Sequence, residues 1–239
     1  MTEDASKGII RARGPHNGQD ALEGMMLTLD DIRKALTRGP ARNVTDLGKE
    51  VGAAVAMILV GHDNDLSLCV IRRAKRAGDP WSGHMAFPGG RFSADDTDPC
   101  ATAERETREE IGLELDPSHR LGALQRLPIW LSGRNRPLVL FPTVYYWGGR
   151  EPVLELNEEV DASYWMPLSH AWDRQNSGHT TLATDRNTLY YPALRYGNER
   201  IWGITLRVLT LFSDVVDRPL PHFEEIPGLG HSNPDEGKV

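Results

Sequence analysis

The sequence predicts one domain of layered strands and helices, α/β or α+β in class. Three observations carry this. The apolar run Val51 to Val60 is followed, after the turn residues His62-Asp63-Asn64-Asp65, by a second run, LSLCVIRR, so the pair reads as a hairpin of buried strands. Three amphipathic helical patterns are spread along the chain. No internal repeat and no second domain is visible.

The elements follow in order. Residues 1–25 are polar and contain glycine, the composition of a mobile N-terminal segment, and residues 26–216 form the single domain. LTLDDIRKALTRG has apolar residues at Leu29, Ile32, Ala35 and Leu36 and a glycine stop at Gly39, which predicts a short helix. After the hairpin, RAKRAGDPWSGH is a loop. Asp98-Pro99 opens a second helix, with Asp as N-cap and Pro at the first helical position; it runs to about Ile111 and stops on Gly112. LVLFPTVYYW predicts a strand, PVLEL a shorter one, and YWMPLSHAW a strand running into a helix. TLYYPALRYGNERIWG reads as a hairpin turning at Gly197-Asn198. ITLRVLTLFSDVV is a last helix with Ile204, Val208, Leu211 and Val215 on one stripe. Residues 217–239, rich in Pro, Gly and charge, predict a disordered tail.

Composition bounds the function. At 239 residues, 39% hydrophobic and 26% charged, the chain is long enough to bury one ordinary core. A net charge of −7 and the lack of a basic stripe argue against nucleic acid as partner. The longest apolar run is too short to span a bilayer, and no cationic amphipathic helix suggests a membrane surface. Two cysteines, Cys69 and Cys100, fit no metal spacing and no disulfide framework. With no apolar leader at the N-terminus, the expected compartment is the cytoplasm.

The stretch FPGGRFSADDTDPCATAERETREEIGLEL, residues 87–115, carries the chemistry. Glu106 lies three residues before Glu109 and four before Glu110, so the three carboxylates share one side of the second helix. Like charges at that spacing repel by about a few tenths of a kcal/mol per pair. A hard divalent cation, which takes carboxylate oxygens together with substrate phosphates, reverses the sign of that interaction. Arg105 stands beside them, placed to orient a carboxylate by a bidentate contact. Gly89-Gly90 lets backbone approach a ligand closely. Taken alone, RETREE is most often a solvated helix face and PGG merely a turn; joined at this spacing they point to a site.

This stretch resembles the Nudix box, G-x5-E-x7-R-E-U-x-E-E-x-G-U with U apolar. Arg105, Glu106, Glu109, Glu110, Gly112 and Leu113 match residue by residue, and Thr107 stands where an apolar residue is usual. The pattern places a glutamate at position 97 and a glycine at 91, where this chain has Thr97 and Arg91. A one-residue insertion aligns Gly90 with the motif glycine and leaves Asp95, Asp96 or Asp98 as the upstream acid that pairs with the motif arginine. The resemblance implies an α/β/α sandwich with a mixed sheet, a loop–helix–loop binding Mg2+ or Mn2+, and hydrolysis of a nucleoside diphosphate linked to another moiety. It implies Glu106 and Glu110 as metal ligands, with Glu109 close by and the Gly89 carbonyl available. The general base would be Glu109 or a loop acid outside the box, Glu158 or Glu159. The family's frequent homodimers leave a dimer open.

Further segments resemble the coenzyme A pyrophosphatase-like branch of the family: GHMAFPGG, NEEVDASYWMPLS, IWGIT and Pro142 in FPTV. That branch's upstream signature, L-L-T-x-R-S-x-x-L-R-x-H-x-G-Q, is poorly kept; its Arg, His and Gln fall on Asp79, Trp81 and His84. Trp81 is suited to stack on a base or pantetheine, and His84 to hydrogen-bond substrate or to serve the loop. Arg72, Arg73, Lys75 and Arg76 form a basic cluster, of which Arg73 and Arg76, with Arg91, are the candidates for substrate phosphates. Trp165, Trp172 and Trp202 read as core. The expected substrate is a small nucleotide, coenzyme A or a derivative first. ADP-ribose, dinucleoside polyphosphates and damaged nucleotides are the alternatives in the same class. A non-catalytic nucleotide-sensing module is the reading that a missing box glutamate would favour.

Overall fold

The computed structural model describes residues 27–38, 52–78, 81–130, 135–183 and 188–220. The expected mobile segment 1–25, residue Asp79, and the tail from 221 onward lie outside the described residues.

Helix α1, Leu29–Arg38, is started by a reciprocal pair in which Asp31 N–H donates to Thr28 Oγ1 and Thr28 N–H to Asp31 Oδ2, each at 3.1 Å. Strands β1, Gly52–His62, and β2, Asp65–Arg73, form the expected antiparallel hairpin. The chain continues through β3, Met85–Ala86, and β4, Gly89–Arg91, into helix α2, Pro99–Ile111. Beyond it lie β5, Arg120–Ala123, β6, Leu127–Ile129, β7, Leu138–Gly148, and β8, Val160–Pro167. Two 3-10 turns then lead to β9, Ser177–Ala183, β10, Thr188–Tyr196, β11, Glu199–Trp202, and helix α3, Gly203–Val215.

The main sheet has eight strands in the order β3-β2-β1-β7-β5, with β4 on β1, β6 on β7 and β8 on β2. β1 and β7 run parallel along their length and all the other pairs in this sheet are antiparallel, so the sheet is mixed. With β7 on one edge of β1, β4 and β2 share the other. β4 pairs with Ala53–Val55 and β2 with Leu59–His62. The site described below opens where β1 passes from one partner to the other.

Successive side chains of a strand face opposite ways, and both faces of this sheet are covered. Ala54, Ala56 and Ile58 of β1 and Cys69 and Ile71 of β2 pack with Ala103 and Ile111 of α2. Met57 and Leu59 with Leu68 and Val70 join the other core, which holds Ile32 of α1 and Leu206, Val208, Leu209 and Phe212 of α3. The architecture is therefore an α/β/α sandwich. A separate three-stranded sheet, β11-β10-β9, extends from it through the expected hairpin at Gly197-Asn198.

Four expectations need correction. PVLEL is not a strand: instead of joining a ladder it is tied to the end of α2, by Glu155 N–H to Ile111 O at 2.9 Å and, one residue past the segment, by Asn157 N–H to Glu110 O at 3.0 Å. The helix expected after YWMP is a short 3-10 turn, Leu168–Trp172. In α3 the stripe is broader than expected: Val208 is fully inside, but Ile204, Leu211 and Val215 only flank the core, and the deeper row is Thr205, Leu209 and Phe212. Residues 217–220, expected to be disordered, are ordered against the domain: Arg218 N–H donates to Ser213 O at 2.9 Å and the Trp172 indole N–H to Arg218 O at 2.6 Å.

Candidate active site

Helix α2 positions the acids, and its ends are fixed by local chemistry. The Asp98 side chain accepts the Ala101 N–H at 2.8 Å, Pro99 follows at the first helical position, and Gly112 closes the helix at φ 69°. Thr107, in the place where an apolar residue is usual, is fully buried; its hydroxyl donates to Ala103 O at 2.6 Å, so no polar atom is stranded.

Arg105 organises the acids around it. Its Nε and Nη2 donate to the two oxygens of Asp96 at 2.9 and 3.0 Å, and its Nη1 to Glu106 Oε1 at 2.9 Å and Glu109 Oε2 at 3.0 Å. Nη2 also reaches the Arg91 carbonyl at 3.1 Å. The acid that sequence left open among three aspartates is thus Asp96. Asp98 is the helix cap, and Asp95 is exposed. Asp96 also accepts Ser93 N–H at 2.8 Å and Thr102 Oγ1–H at 2.7 Å. Hydrogen bonding to Arg105, with these further donors, holds its carboxyl down to about 2.

Glu106 and Glu110 sit against the two glycines. A Cβ on Gly90 would lie 2.4 Å from the Glu106 carboxyl carbon, so the missing side chain makes the cradle for that carboxylate. Gly89 occupies a position of β4 whose N–H faces away from β1, and it donates to Glu110 Oε2 at 2.9 Å. Glu110 is 3% exposed. Burial pushes its carboxyl up to about 7 despite the Gly89 hydrogen bond, with the charge of Glu106 adding to the rise and that of Arg73 opposing it. Burial likewise raises the Glu106 carboxyl, against the pull of Arg105.

The donor set fits a hard divalent ion. Among the described residues no three acid, His or Cys side chains are already gathered as a metal cluster. Among the described residues, Glu106, Glu109 and Glu110 each use one oxygen toward a protein donor and keep the second without one. Three mutually repelling carboxylates, two of them partly desolvated, are oxygen ligands whose ionised form a cation would favour.

Of the two loop acids, Glu159 faces the site and Glu158 does not. Glu159 accepts Arg76 Nη1–H at 3.0 Å, its carbonyl accepts Ala74 N–H at 2.8 Å, and its charge is felt at both Glu106 and Glu110. The Glu158 side chain is 91% exposed, with Arg76 Nη2 at 3.5 Å. Arg73 shares the face of β2 that carries Cys69 and Ile71 and acts on Glu110, whereas Arg72 is turned to the opposite face and pairs with Asp161 and with Glu199 of β11. Arg91 is exposed and meets the site through its carbonyl. Trp81 and His84 lie in the turn before β3, where the His84 ring packs edge-on against Trp202 at 4.8 Å and its carbonyl accepts Arg73 N–H at 3.0 Å. The half-buried Trp202 joins His84 and Tyr191 in an aromatic group instead of entering the core. Both cysteines are buried, Cys69 with its thiol pushed up to about 12 by desolvation. Sequence reasoning missed the Glu104 carboxylate, which braces α2 against the sheet through Arg120 at 2.6 and 2.9 Å and Tyr145 at 3.2 Å.

Comparison with known proteins agrees with this geometry. Residues 50–184 match the NUDIX domain. The human protein named mitochondrial coenzyme A diphosphatase NUDT8 is 30% identical over 184 residues, spanning 76% of this chain and 75% of its own. Its mouse counterpart is 33% identical over 156 residues, 60% of this chain and 72% of its own. Nudix hydrolase 15, mitochondrial, from Arabidopsis thaliana is 29% identical over 196 residues, 79% of this chain and 67% of its own. Among solved structures, a MutT/nudix family protein from Enterococcus faecalis shares the fold at a TM-score of 0.50 and 16% identity, covering 86% of this chain and 76% of that one. The acid-lined helix over a double glycine and the match across more than half the chain lead to one conclusion: this protein belongs to the Nudix family, and it is a pyrophosphohydrolase.

Proposed function

We propose that the enzyme cleaves the pyrophosphate of coenzyme A or a coenzyme A derivative, giving 3′,5′-ADP and 4′-phosphopantetheine or its acylated form. The observation that carries this is the similarity to two mammalian proteins named coenzyme A diphosphatase, each aligned over more than two thirds of its own length. The segments around the double glycine, after Glu159 and at the start of α3 resemble the same branch.

In this reading Glu106, Glu109 and Glu110, with the Gly89 carbonyl, hold Mg2+ or Mn2+. The ion supplies charge neutralisation on the pyrophosphate and makes water more acidic. Arg105 keeps Glu106 and Glu109 turned toward each other, and Asp96 keeps Arg105 in place. Glu159 accepts the proton of the attacking water as the new P–O bond forms; the bridging P–O bond breaks and its oxygen leaves on the departing phosphate. Arg73 and Arg76 balance phosphate charge next to the acids. Asp96 also removes the one sign that favoured a sensing module, since the missing box glutamate has a replacement bound to the same arginine.

A substrate panel with Mg2+ and with Mn2+, products resolved by mass, tests the proposal. Coenzyme A should yield 3′,5′-ADP and 4′-phosphopantetheine with the highest kcat/KM of the panel. A hundredfold preference for ADP-ribose, a dinucleoside polyphosphate or an oxidised nucleotide would reject coenzyme A as the substrate.

A further inference from the structure

The strap that replaces the expected PVLEL strand joins the acid helix to the loop acid through one side chain. Its backbone is fixed to the C-terminal end of α2 at two points, Glu155 N–H to Ile111 O at 2.9 Å and Asn157 N–H to Glu110 O at 3.0 Å. The first of these is possible because Gly112 has no side chain. A Cβ there would lie 2.9 Å from Glu155 Cβ and 3.3 Å from its backbone nitrogen and oxygen. Asn157 then turns the chain: its Oδ1 accepts the Glu159 N–H at 2.8 Å, and its carbonyl accepts the Val160 N–H at 3.3 Å where β8 begins. An Asx turn of this kind fixes the backbone two residues ahead. Glu159 is held from its other side by Ala74 and Arg76, at the end of β2.

From this we infer that Asn157 is a positioning residue, which sets the carboxylate of Glu159 relative to the carboxylates of α2. Its main chain is bound to Glu110, the buried acid, and its side chain to the backbone of the loop acid. A displacement of α2 is therefore passed to Glu159 through a single residue. Without that side chain, Glu159 keeps the Ala74 and Arg76 contacts but loses the bond that ties it to the helix. The inference rests on the proposed role of Glu159, and it adds a residue whose bonds run to the backbone of Glu110, Glu159 and Val160.

The test measures kcat and KM separately for Asn157→Ala, Asn157→Asp, Glu159→Gln and the double variant Asn157→Ala/Glu159→Gln. The probe is coenzyme A with Mn2+, or ADP-ribose if coenzyme A is not cleaved. A misplacement of about 1 Å at a reacting group costs up to about a hundredfold in rate. Asn157→Ala should accordingly lower kcat about ten- to a hundredfold and leave KM within about threefold. Asn157→Asp keeps an acceptor for the Glu159 N–H and should restore most of the rate. In the Glu159→Gln background the Asn157→Ala change should add less than about twofold. If Glu159→Gln alone is fully active, the proposed role of Glu159 fails. If Glu159→Gln is impaired while Asn157→Ala is not, or if the two losses multiply, the positioning role fails. Asn157→Gln, one methylene too long to close the turn, replaces the alanine variant should that not fold, and the same outcomes decide.

Discussion

Arg105 and Asp96 are joined by two parallel hydrogen bonds, Nε to Oδ1 at 2.9 Å and Nη2 to Oδ2 at 3.0 Å, and the Asp96 side chain is only 4% exposed. A two-point pair fixes the plane of the guanidinium, and the remaining Nη1 is what holds Glu106 and Glu109. Asp96→Asn should cost about 1–3 kcal/mol of stability near neutral pH. It should also lower turnover roughly tenfold or more, because the acids lose a fixed support. The folded carboxyl lies near 2, below its ordinary value of 3.8. The stabilisation is therefore complete above about pH 4 and is lost as pH falls through 2. Denaturant unfolding of the two proteins should differ near neutrality and converge in acid. A constant gap down to the lowest pH would assign the stability to something other than this pair.

The buried acid gives a second pH dependence of opposite sign. Glu110 titrates near 7, above the ordinary 4.5, because burial disfavours its charge. The metal-free fold keeps the proton between these values and so loses stability as pH rises through that window. A divalent ion that uses Glu110 must displace the same proton below pH 7. Calorimetric titration with Mn2+ should show affinity rising with pH to about 7 and then levelling, with about one proton released per ion at the acidic end. Glu110→Gln should abolish that proton release and lower hydrolysis by about two orders of magnitude or more, with the fold intact. An affinity independent of pH would remove Glu110 from the ligand set.

The two adjacent glycines should fail differently. At Gly90 a Cβ meets the far end of the Glu106 side chain, which can move, so Gly90→Ala should leave stability within about 1 kcal/mol. Its kcat should drop at least about tenfold as the carboxylate is displaced. At Gly89 the Cβ would lie 2.2 Å from Ala54 O, and φ is 149°, a region open essentially to glycine alone. Gly89→Ala should therefore reach the fold itself, lowering the melting temperature well below that of Gly90→Ala. Equal melting temperatures would show that backbone strain at Gly89 is not what matters.

Thr107 offers a control on the same helix. Its hydroxyl serves only the Ala103 carbonyl, which the helix can do without. Thr107→Val, of nearly equal shape, should change stability by less than about 1 kcal/mol and leave kcat/KM unaltered. A large loss of activity would give this hydroxyl a role in the site that the geometry does not.

The helix and hairpin were legible because their signals are local. Asp98-Pro99 and Gly112 bound α2, and the apolar runs of β1 and β2 belong to strands covered on both faces. PVLEL carries the alternation of a strand, and Val153 and Leu154 do differ in exposure, but alternation says nothing about where the backbone donors go. Here Glu155 and the following Asn157 donate to the open carbonyls of a helix end. β5 and β6 were hidden by Gly122 and Pro128, which break local patterns yet are tolerated beside β7 in short outer strands. Asp96 stands within three residues of two other aspartates, and only the turn from Ser93 to Asp96 decides which one meets Arg105. Glu158 and Glu159 are alike in sequence; the Asn157 turn separates them in space.

The match to the family covers residues 50–184, yet α1 and α3 lie on either side of it. Ile32 of α1 has no exposed surface, and Leu36 sits 3.0 Å from where a Cβ on Gly122 would be. Phe212 and Leu209 of α3 are equally enclosed. A fragment excised at the borders of the family match would keep every acid of α2 and still bare one whole flank of the sheet. Such a truncation should come out of expression insoluble, and its failure would report on the missing helices and on the lost strands β10 and β11, whose Leu194 and Ile201 are also buried, and not on the chemistry of the site.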